Sequence, residues 1–140
     1  MIMLDTNVLS EFMRKVPEPK VLDWFARQRV SELSVSAITV AEITRGLSRL
    51  PAGKRRTALM ESFDGFMEDA FKERVISFDE AAAQEYGPMA ASREKAGFNT
   101  DTVDLMIAAS ARSCSASIAT RNVRDFEGCG VTIINPWEAE

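Results

Sequence analysis

Residues 1–10, with the sequence MIMLDTNVLS, are the part of the chain that indicates its fold most clearly. Four apolar residues lead directly into the carboxylate of Asp5, and a helix-like sequence follows at once, so we expect a buried strand that ends at Asp5. In parallel α/β sheets, ligands bind outside the carboxyl ends of the strands, and an acid placed there would face a site. The alternative is that Asp5, Thr6 or Asn7 only caps the following helix, since all three residue types do so well.

The composition is that of one compact domain. The 140 residues are 46% hydrophobic, which is enough to bury a sizeable core, and we expect a single domain over residues 1–140. No apolar run approaches the length of a membrane span, and the N-terminus lacks the features of a signal peptide, so we expect a cytoplasmic protein with no membrane partner. Cys114 and Cys129 form no Cys-x-x-Cys pair, which argues against a zinc site or a disulfide framework.

The sequence contains no histidine, and this excludes several classes of chemistry. Histidine-based triads, histidine-dependent nucleases and histidine-ligated zinc hydrolases are all ruled out. A hydrolase of this composition would have to use acids and a hard metal ion. The net charge of −4 also argues against nucleic-acid binding through a uniformly basic surface.

Apolar strands alternate with amphipathic helices along the rest of the chain. We predict strands at residues 33–36, 75–78, 117–120 and 131–134. Helices are predicted at residues 8–14, from residue 19, from a cap at Ser36 or Thr39 to about residue 50, and at about 54–71, 80–96 and 102–114. Gly87-Pro88 should bend or break the fifth helix, and Gly97 should end it. This alternation predicts an α/β fold of three layers, with a mostly parallel central sheet covered by helices on both faces.

Asp104 lies in the first turn of the helix predicted from Thr102. The helix dipole and the free backbone amides of that turn would stabilise a charged carboxylate there, so we expect Asp104 to be ionised and available as a metal ligand. The alternative is a favourable N-terminal charge with no further role.

Two other acids have both a functional and a structural interpretation. Asp125 and Thr120 follow the strand at residues 117–120 and could join the same site, or they could belong to a polar turn in which Asp125 accepts backbone hydrogen bonds. Glu42 could reach the site from the third helix, or it could be a solvated position paired with Arg45.

Four stretches together resemble the ordered motifs of PIN-domain proteins. They are residues 3–7 (MLDTN), 36–42 (SAITVAE), 104–109 (DLMIAA) and 120–126 (TRNVRDF). The chain is most similar to the VapC-type toxins of bacterial toxin–antitoxin pairs, especially the FitB-like group, which also tends to end in a segment similar to Asn135-Pro136-Trp137. Residues 51–74 match only as a helix-bearing spacer. Asp101 has no assigned place in the pattern and could assist the neighbouring acids or cap a helix.

The resemblance implies a metal-dependent endoribonuclease toxin that hydrolyses RNA phosphodiester bonds and is inhibited by a cognate antitoxin. It also implies a homodimer that contacts DNA only through the antitoxin. The acids assigned to catalysis are Asp5, Glu42, Asp104 and Asp125, of which Asp5 and Asp104 would bind the metal directly, with Thr6, Asn7 and Thr120 as supporting residues. Four such carboxylates repel one another unless a cation joins them, and Mg²⁺ or Mn²⁺ fits carboxylate ligands.

RNA would have to be held by local basic residues, because the chain as a whole is acidic. The candidates lie on or near the elements that carry the acids: Arg14, Lys15, Arg45, Arg49, Lys54, Arg55, Arg56, Arg121 and Arg124.

Two other functions remain open at this point. The protein could be a catalytically weak, partner-binding subunit of a DNA-bound toxin–antitoxin complex, although the intact acids count against this. It could also be a phosphatase with Asp5 as a covalent nucleophile, but the chain lacks a second aspartate two residues later.

Overall fold

The computed structural model describes residues 1–139 and contains a five-stranded sheet. Its strands are β1 (Ile2–Leu4), β2 (Leu33–Ser36), β3 (Val75–Ile76), β4 (Ser117–Ala119) and β5 (Ile133–Ile134). Their spatial order is β3-β2-β1-β4-β5, and each neighbouring pair is parallel. The predicted parallel sheet is therefore confirmed. Glu140, the last residue of the predicted domain, lies outside the described residues.

Six helices cover the sheet in two layers. They are α1 (Thr6–Glu11), α2 (Pro19–Ala26), α3 (Ala37–Ser48), α4 (Lys54–Phe71), α5 (Glu80–Lys95) and α6 (Thr102–Ser113), with short 3₁₀ turns at Val30–Glu32 and Val123–Asp125. Successive strand side chains point to opposite faces, so Leu4 packs with α1 to α4 and Met3 packs with α5 and α6. This is the predicted three-layer architecture.

The strand register brings three strand ends to one level. Leu4, the last residue of β1, pairs with Val35 of β2 and with Ala119 of β4. Residues that follow these strands therefore emerge side by side at the carboxyl edge of the sheet. That edge is where the sequence predicted a site.

Helix α5 is the clearest departure from the predicted secondary structure. It continues through Pro88 to Lys95, so of the two outcomes predicted at Gly87-Pro88, a bend or a break, the break does not occur. Pro88 and Gln84 are both exposed, and water can therefore satisfy the Gln84 carbonyl that Pro88 leaves without its helical partner. Gly97 ends the helix as predicted, with a φ of 83° and a hydrogen bond of 3.1 Å from its amide to the carbonyl of Glu94.

The other boundaries shift by a few residues. Strand β3 stops at Ile76 instead of Phe78, and helix α1 ends at Glu11 instead of Arg14. Within residues 1–139, no helix combines the length and the apolar character needed to cross a membrane.

Candidate active site

Asp5 is a buried carboxylate at the carboxyl end of β1. Its side chain is only 4% exposed, and its backbone amide continues the ladder by donating to the Ala119 carbonyl at 2.9 Å. Oδ1 accepts a hydrogen bond from the Thr6 amide at 2.8 Å, and Oδ2 accepts one from Thr120 Oγ1 at 2.8 Å and one from Asn7 Nδ2 at 3.2 Å. Asp5 therefore caps α1 and also lies at the carboxyl edge of the sheet.

Asn7 and Thr120 tie the loop after β4 to the start of α1. Asn7 Nδ2 lies 3.3 Å from Thr120 Oγ1, and Asn7 Oδ1 accepts a hydrogen bond from the Arg121 amide at 3.1 Å. Thr120 Oγ1 also accepts from the Asn122 amide at 3.0 Å. These contacts hold the Thr120 hydroxyl in the orientation that donates to Asp5.

Glu42 joins the site through a second threonine. Thr6 Oγ1 donates to Glu42 Oε1 at 2.7 Å, which links α1 to α3 across 36 sequence positions. Glu42 is half-buried. It is therefore not the fully solvated position that the alternative interpretation required.

Asp101, not Asp104, receives the free amides at the start of α6. Asp101 Oδ1 accepts from the Val103 amide at 2.9 Å and from the Asp104 amide at 3.1 Å. Asp101 is thus the helix cap, which is one of the two roles left open by its sequence position.

The expectation that the free amides of α6 keep Asp104 in its charged form is wrong. Burial and then the negative charges of Asp101, Asp5, Asp125 and Glu42, in that order, raise the pKa of Asp104 from 3.8 to about 7. The amides that would have stabilised its charge serve Asp101 instead. Asp104 is consequently about half protonated at pH 7.

The same repulsion acts on Asp5. Its pKa is raised by burial, and the hydrogen bonds from Thr120 and Thr6 oppose this effect while the charges of Glu42 and Asp125 add to it. Asp125 itself is exposed and lies in the 3₁₀ turn at Val123–Asp125. The four acids chosen from the sequence therefore lie close enough to influence one another electrostatically.

Comparison with known proteins identifies the family. Residues 2–128 match the PIN domain family. The chain belongs to the PIN domain family. It is similar to the VapC ribonuclease Y4jK of Sinorhizobium fredii, at 42% identity over 99% of each chain. It is also similar to the toxin FitB of Neisseria gonorrhoeae, at 35% identity over 98% of this chain and 99% of FitB.

Solved structures agree with these sequence relatives. The crystal structure of FitAcB from Neisseria gonorrhoeae superimposes with a TM-score of 0.94 at 34% identity, covering 99% of this chain and 100% of the other. The resemblance to VapC-type, FitB-like toxins that the sequence motifs indicated is confirmed.

The acids of this PIN domain fit a divalent ion that keeps part of its water. Among residues 1–139, no group of three or more Asp, Glu or Cys side chains is arranged to hold a metal ion by itself. Asp5 Oδ2 accepts two hydrogen bonds in the described structure, whereas Oδ1 accepts one and keeps a lone pair for a ligand. Mg²⁺ commonly binds through one or two carboxylates together with waters and substrate phosphate. The donor set suits that kind of site.

Three of the basic candidates in this PIN domain have structural partners. Arg14 Nη1 lies 2.7 and 3.1 Å from the carboxylate oxygens of buried Glu11, and Arg56 Nη1 donates to the Leu50 carbonyl at 3.4 Å. The Arg121 guanidinium lies 5.2 Å from the centre of the Trp137 ring. The other candidates are exposed: Lys15, Arg45, Arg49, Lys54, Arg55 and Arg124.

A groove that sequence reasoning missed leads away from the acids. Its volume is about 1110 Å³, and it lies between α1, α3 and α4. Thr6 and Glu42 line it together with Arg14, Lys15 and Arg55. No periodicity in the sequence indicates this groove, because its walls come from three separate helices.

The raised pKa of Asp104 predicts how stability depends on pH. Between about pH 4 and pH 7 Asp104 binds more protons in the folded metal-free protein than in the unfolded chain, so its contribution to the free energy of unfolding should fall as the pH rises through this window. Asp104→Asn should remove this contribution and be more stable than wild type at pH 8. Urea denaturation from pH 4 to pH 8, in the presence of a chelator, measures the free energy of unfolding. Asp64→Asn is the control, because Asp64 is an exposed acid on α4. Parallel curves for wild type and Asp104→Asn would contradict the assignment.

Proposed function

We propose that this protein is the toxin of a toxin–antitoxin pair, an endoribonuclease that hydrolyses RNA phosphodiester bonds with Mg²⁺ or Mn²⁺ and is inhibited by its cognate antitoxin. The observation that carries the proposal is the convergence of Asp5, Glu42, Asp104 and Asp125 at the carboxyl edge of the sheet. Besides burial, the charges of Glu42 and Asp125 contribute to the raised pKa of Asp5 and, together with the charge of Asp5, to the raised pKa of Asp104. Membership of the PIN domain family and similarity over nearly the whole chain to a VapC ribonuclease support it. We also propose a homodimer and a contact with DNA made through the antitoxin.

Asp5 and Asp104 are proposed to hold the metal ion. When bound, the ion would supply a water of lowered pKa and neutralise charge on the phosphate. Asp5 suits a fixed ligand position because its hydrogen bonds to Thr6, Asn7 and Thr120 leave the carboxylate no freedom to rotate. Asp104 is half-buried and only half ionised at pH 7, so a cation beside it would favour its charged form.

Glu42 is proposed to accept a proton from water, and Asp125 is proposed to orient water. Thr6 Oγ1 donates a hydrogen bond to Glu42 Oε1, which leaves Oε2 able to accept a proton from an attacking water. Asp125 is exposed in a short turn and can orient a water at the open side of the site. Both roles are compatible with acids that touch the metal through water and not directly.

The covalent phosphatase mechanism is less compatible with the geometry. Both oxygens of Asp5 accept hydrogen bonds from the protein, which lowers their nucleophilicity. Asn7 occupies the position where such a mechanism would place a general acid, and Nδ2 of Asn7 donates to Asp5.

Asp104→Asn should abolish metal-dependent cleavage of structured RNA while the fold is retained. Asparagine keeps the shape of the side chain and removes the charge on which metal binding depends. A gel assay with Mn²⁺, isothermal titration with Mn²⁺ and circular dichroism measure cleavage, binding and fold. Asp101→Asn is the matched control, because asparagine also caps helices well, and it should keep most of its activity. Undiminished cleavage by Asp104→Asn would exclude Asp104 as a ligand.

The basic start of α4 should contribute to RNA binding. Lys54, Arg55 and Arg56 lie at its N-terminus, and Arg55 lines the groove that contains Glu42. Neutralising all three in the inactive Asp104→Asn protein should flatten the dependence of log affinity on log salt. The slope should change by about 0.7 for each phosphate of single-stranded RNA that the variant no longer binds.

The control for this experiment lies at the other end of the same helix. Lys72 forms an ion pair with Glu68 at 3.2 Å, and Lys72→Gln should leave the salt dependence unchanged. An unchanged slope after neutralising Lys54, Arg55 and Arg56 would show that this cluster does not contact the RNA.

A further inference from the structure

Arg93 is a buried cation that the proposed chemistry does not use. It lies on α5 and is 2% exposed, and the ion pairs found within residues 1–139 do not include it. Its guanidinium donates instead to two backbone carbonyls, those of Glu127 and, at 2.7 Å, Asn99. Nε is buried without a hydrogen-bond partner in the described part of the chain. Burying a guanidinium with incomplete compensation is costly, so its location calls for an explanation beyond packing.

The two carbonyls belong to the two segments that carry acids on this side of the sheet. Asn99 lies two residues before Asp101, the cap of the helix that carries Asp104. Glu127 lies two residues after Asp125. One guanidinium therefore bridges the loop that leads to Asp104 and the loop that leaves Asp125.

The packing around the guanidinium allows little movement. The Phe98 ring centre lies 4.7 Å from the Arg93 guanidinium carbon, and the Phe98 amide donates to the Arg93 carbonyl at 3.0 Å. A Cβ on Gly128 would lie 3.2 Å from the Phe98 ring and 3.8 Å from Arg93 Cγ. Burial raises the pKa of the Cys129 thiol, and the charge of Arg93 opposes this effect, which places a third residue of the second loop near Arg93.

We propose that Arg93 is a positioning residue that fixes the spacing between Asp104 and Asp125 by holding their two loops on one planar guanidinium. The inference rests on the proposed function, because that spacing matters only if the acids share a cation. Carboxylates that repel one another would move apart if their backbones were free, and the bridge opposes this movement. Arginine suits the task because its donors form a rigid fork, whereas lysine presents a point charge on a flexible stem.

Arg93→Lys tests the proposal because it keeps the positive charge and removes the fork. We expect hydrogen exchange to become faster in residues 97–104 and in residues 122–130 together, while β1 and β2 are unaffected. The affinity for Mn²⁺ should fall by about 10- to 100-fold, as for other residues that orient metal ligands. The kcat for RNA cleavage should fall by a similar factor, and KM should change less, because the basic cluster at the start of α4 is not altered.

Arg74→Lys is the matched control. Arg74 also donates to two backbone carbonyls, those of Ala70 and, at 3.0 Å, Leu33, and its guanidinium lies 5.9 Å from the Phe71 ring. Leu33 is at the amino end of β2, opposite the acids. Arg74→Lys should therefore leave Mn²⁺ affinity and kcat at their wild-type values, even if it lowers the midpoint of thermal unfolding.

Phe98→Leu supplies a second perturbation that keeps Arg93 intact. Phe98 is 36% exposed, so truncation of its ring should not prevent folding. Phe98→Leu should speed hydrogen exchange in the same two loops and lower Mn²⁺ affinity and kcat, by smaller factors than Arg93→Lys. If Arg93→Lys does not fold, this variant decides the question. Wild-type Mn²⁺ affinity in the folded Arg93→Lys protein, or an equal decrease in Arg74→Lys, would overturn the proposal. A wild-type protein that neither binds Mn²⁺ nor cleaves RNA would overturn the proposed function instead. Faster hydrogen exchange in residues 97–104 and 122–130 together would then test, by itself, whether Arg93 holds the two loops.

Discussion

A carboxylate buried at the end of the central strand is the constraint on which the rest of the site depends. Asp5 is almost inaccessible to solvent, and a buried charge is tolerated only with hydrogen-bonding partners. The fold supplies them from α1 and from the end of β4. Thr6, Asn7 and Thr120 all donate hydrogen bonds to this one carboxylate. The parallel register of β1 with β4 is what brings Thr120 within reach of Asp5.

The other acids add repulsion that the protein does not relieve by itself. Thr6 carries the network onward to Glu42 on α3, while Asp104 enters from α6, the layer on the opposite face. Burial and the neighbouring charges raise the pKa of Asp5, and they raise the pKa of Asp104 to about 7. A cation bound among these acids would relieve several unfavourable interactions at once. The buried Arg93 would prevent the acids from separating, and a bound metal ion would then relieve their repulsion.

The sequence predicted the order of the elements, the parallel sheet and the placement of Asp5 beside Thr120, because these follow from apolar runs and from where they stop. It did not predict the protonation of Asp104. Asp101 and Asp104 both lie near the start of α6, and which of them takes the free amides depends on where the helix begins, a boundary that shifts by a residue or two. The contacts of Arg93 with Asn99 and Glu127 could not be predicted either, since they join parts of the chain up to 34 positions apart. Whether Pro88 would bend or break α5 could not be decided from the sequence, because exposure, which sequence does not reveal, allows the helix to continue through it.

Proton release on Mn²⁺ binding tests most directly whether the acids share one cation. Calorimetric titrations at the same pH in buffers of different ionisation enthalpy give the number of protons released per ion bound. Because Asp104 is about half protonated at pH 7 and must lose its proton to bind a metal, we predict release of about half a proton at pH 7. That release should fall toward none by about pH 8.5, where Asp104 is already ionised. Mn²⁺ binding with no proton release at either pH would show that the ion binds elsewhere, and would contradict a cation shared by these acids.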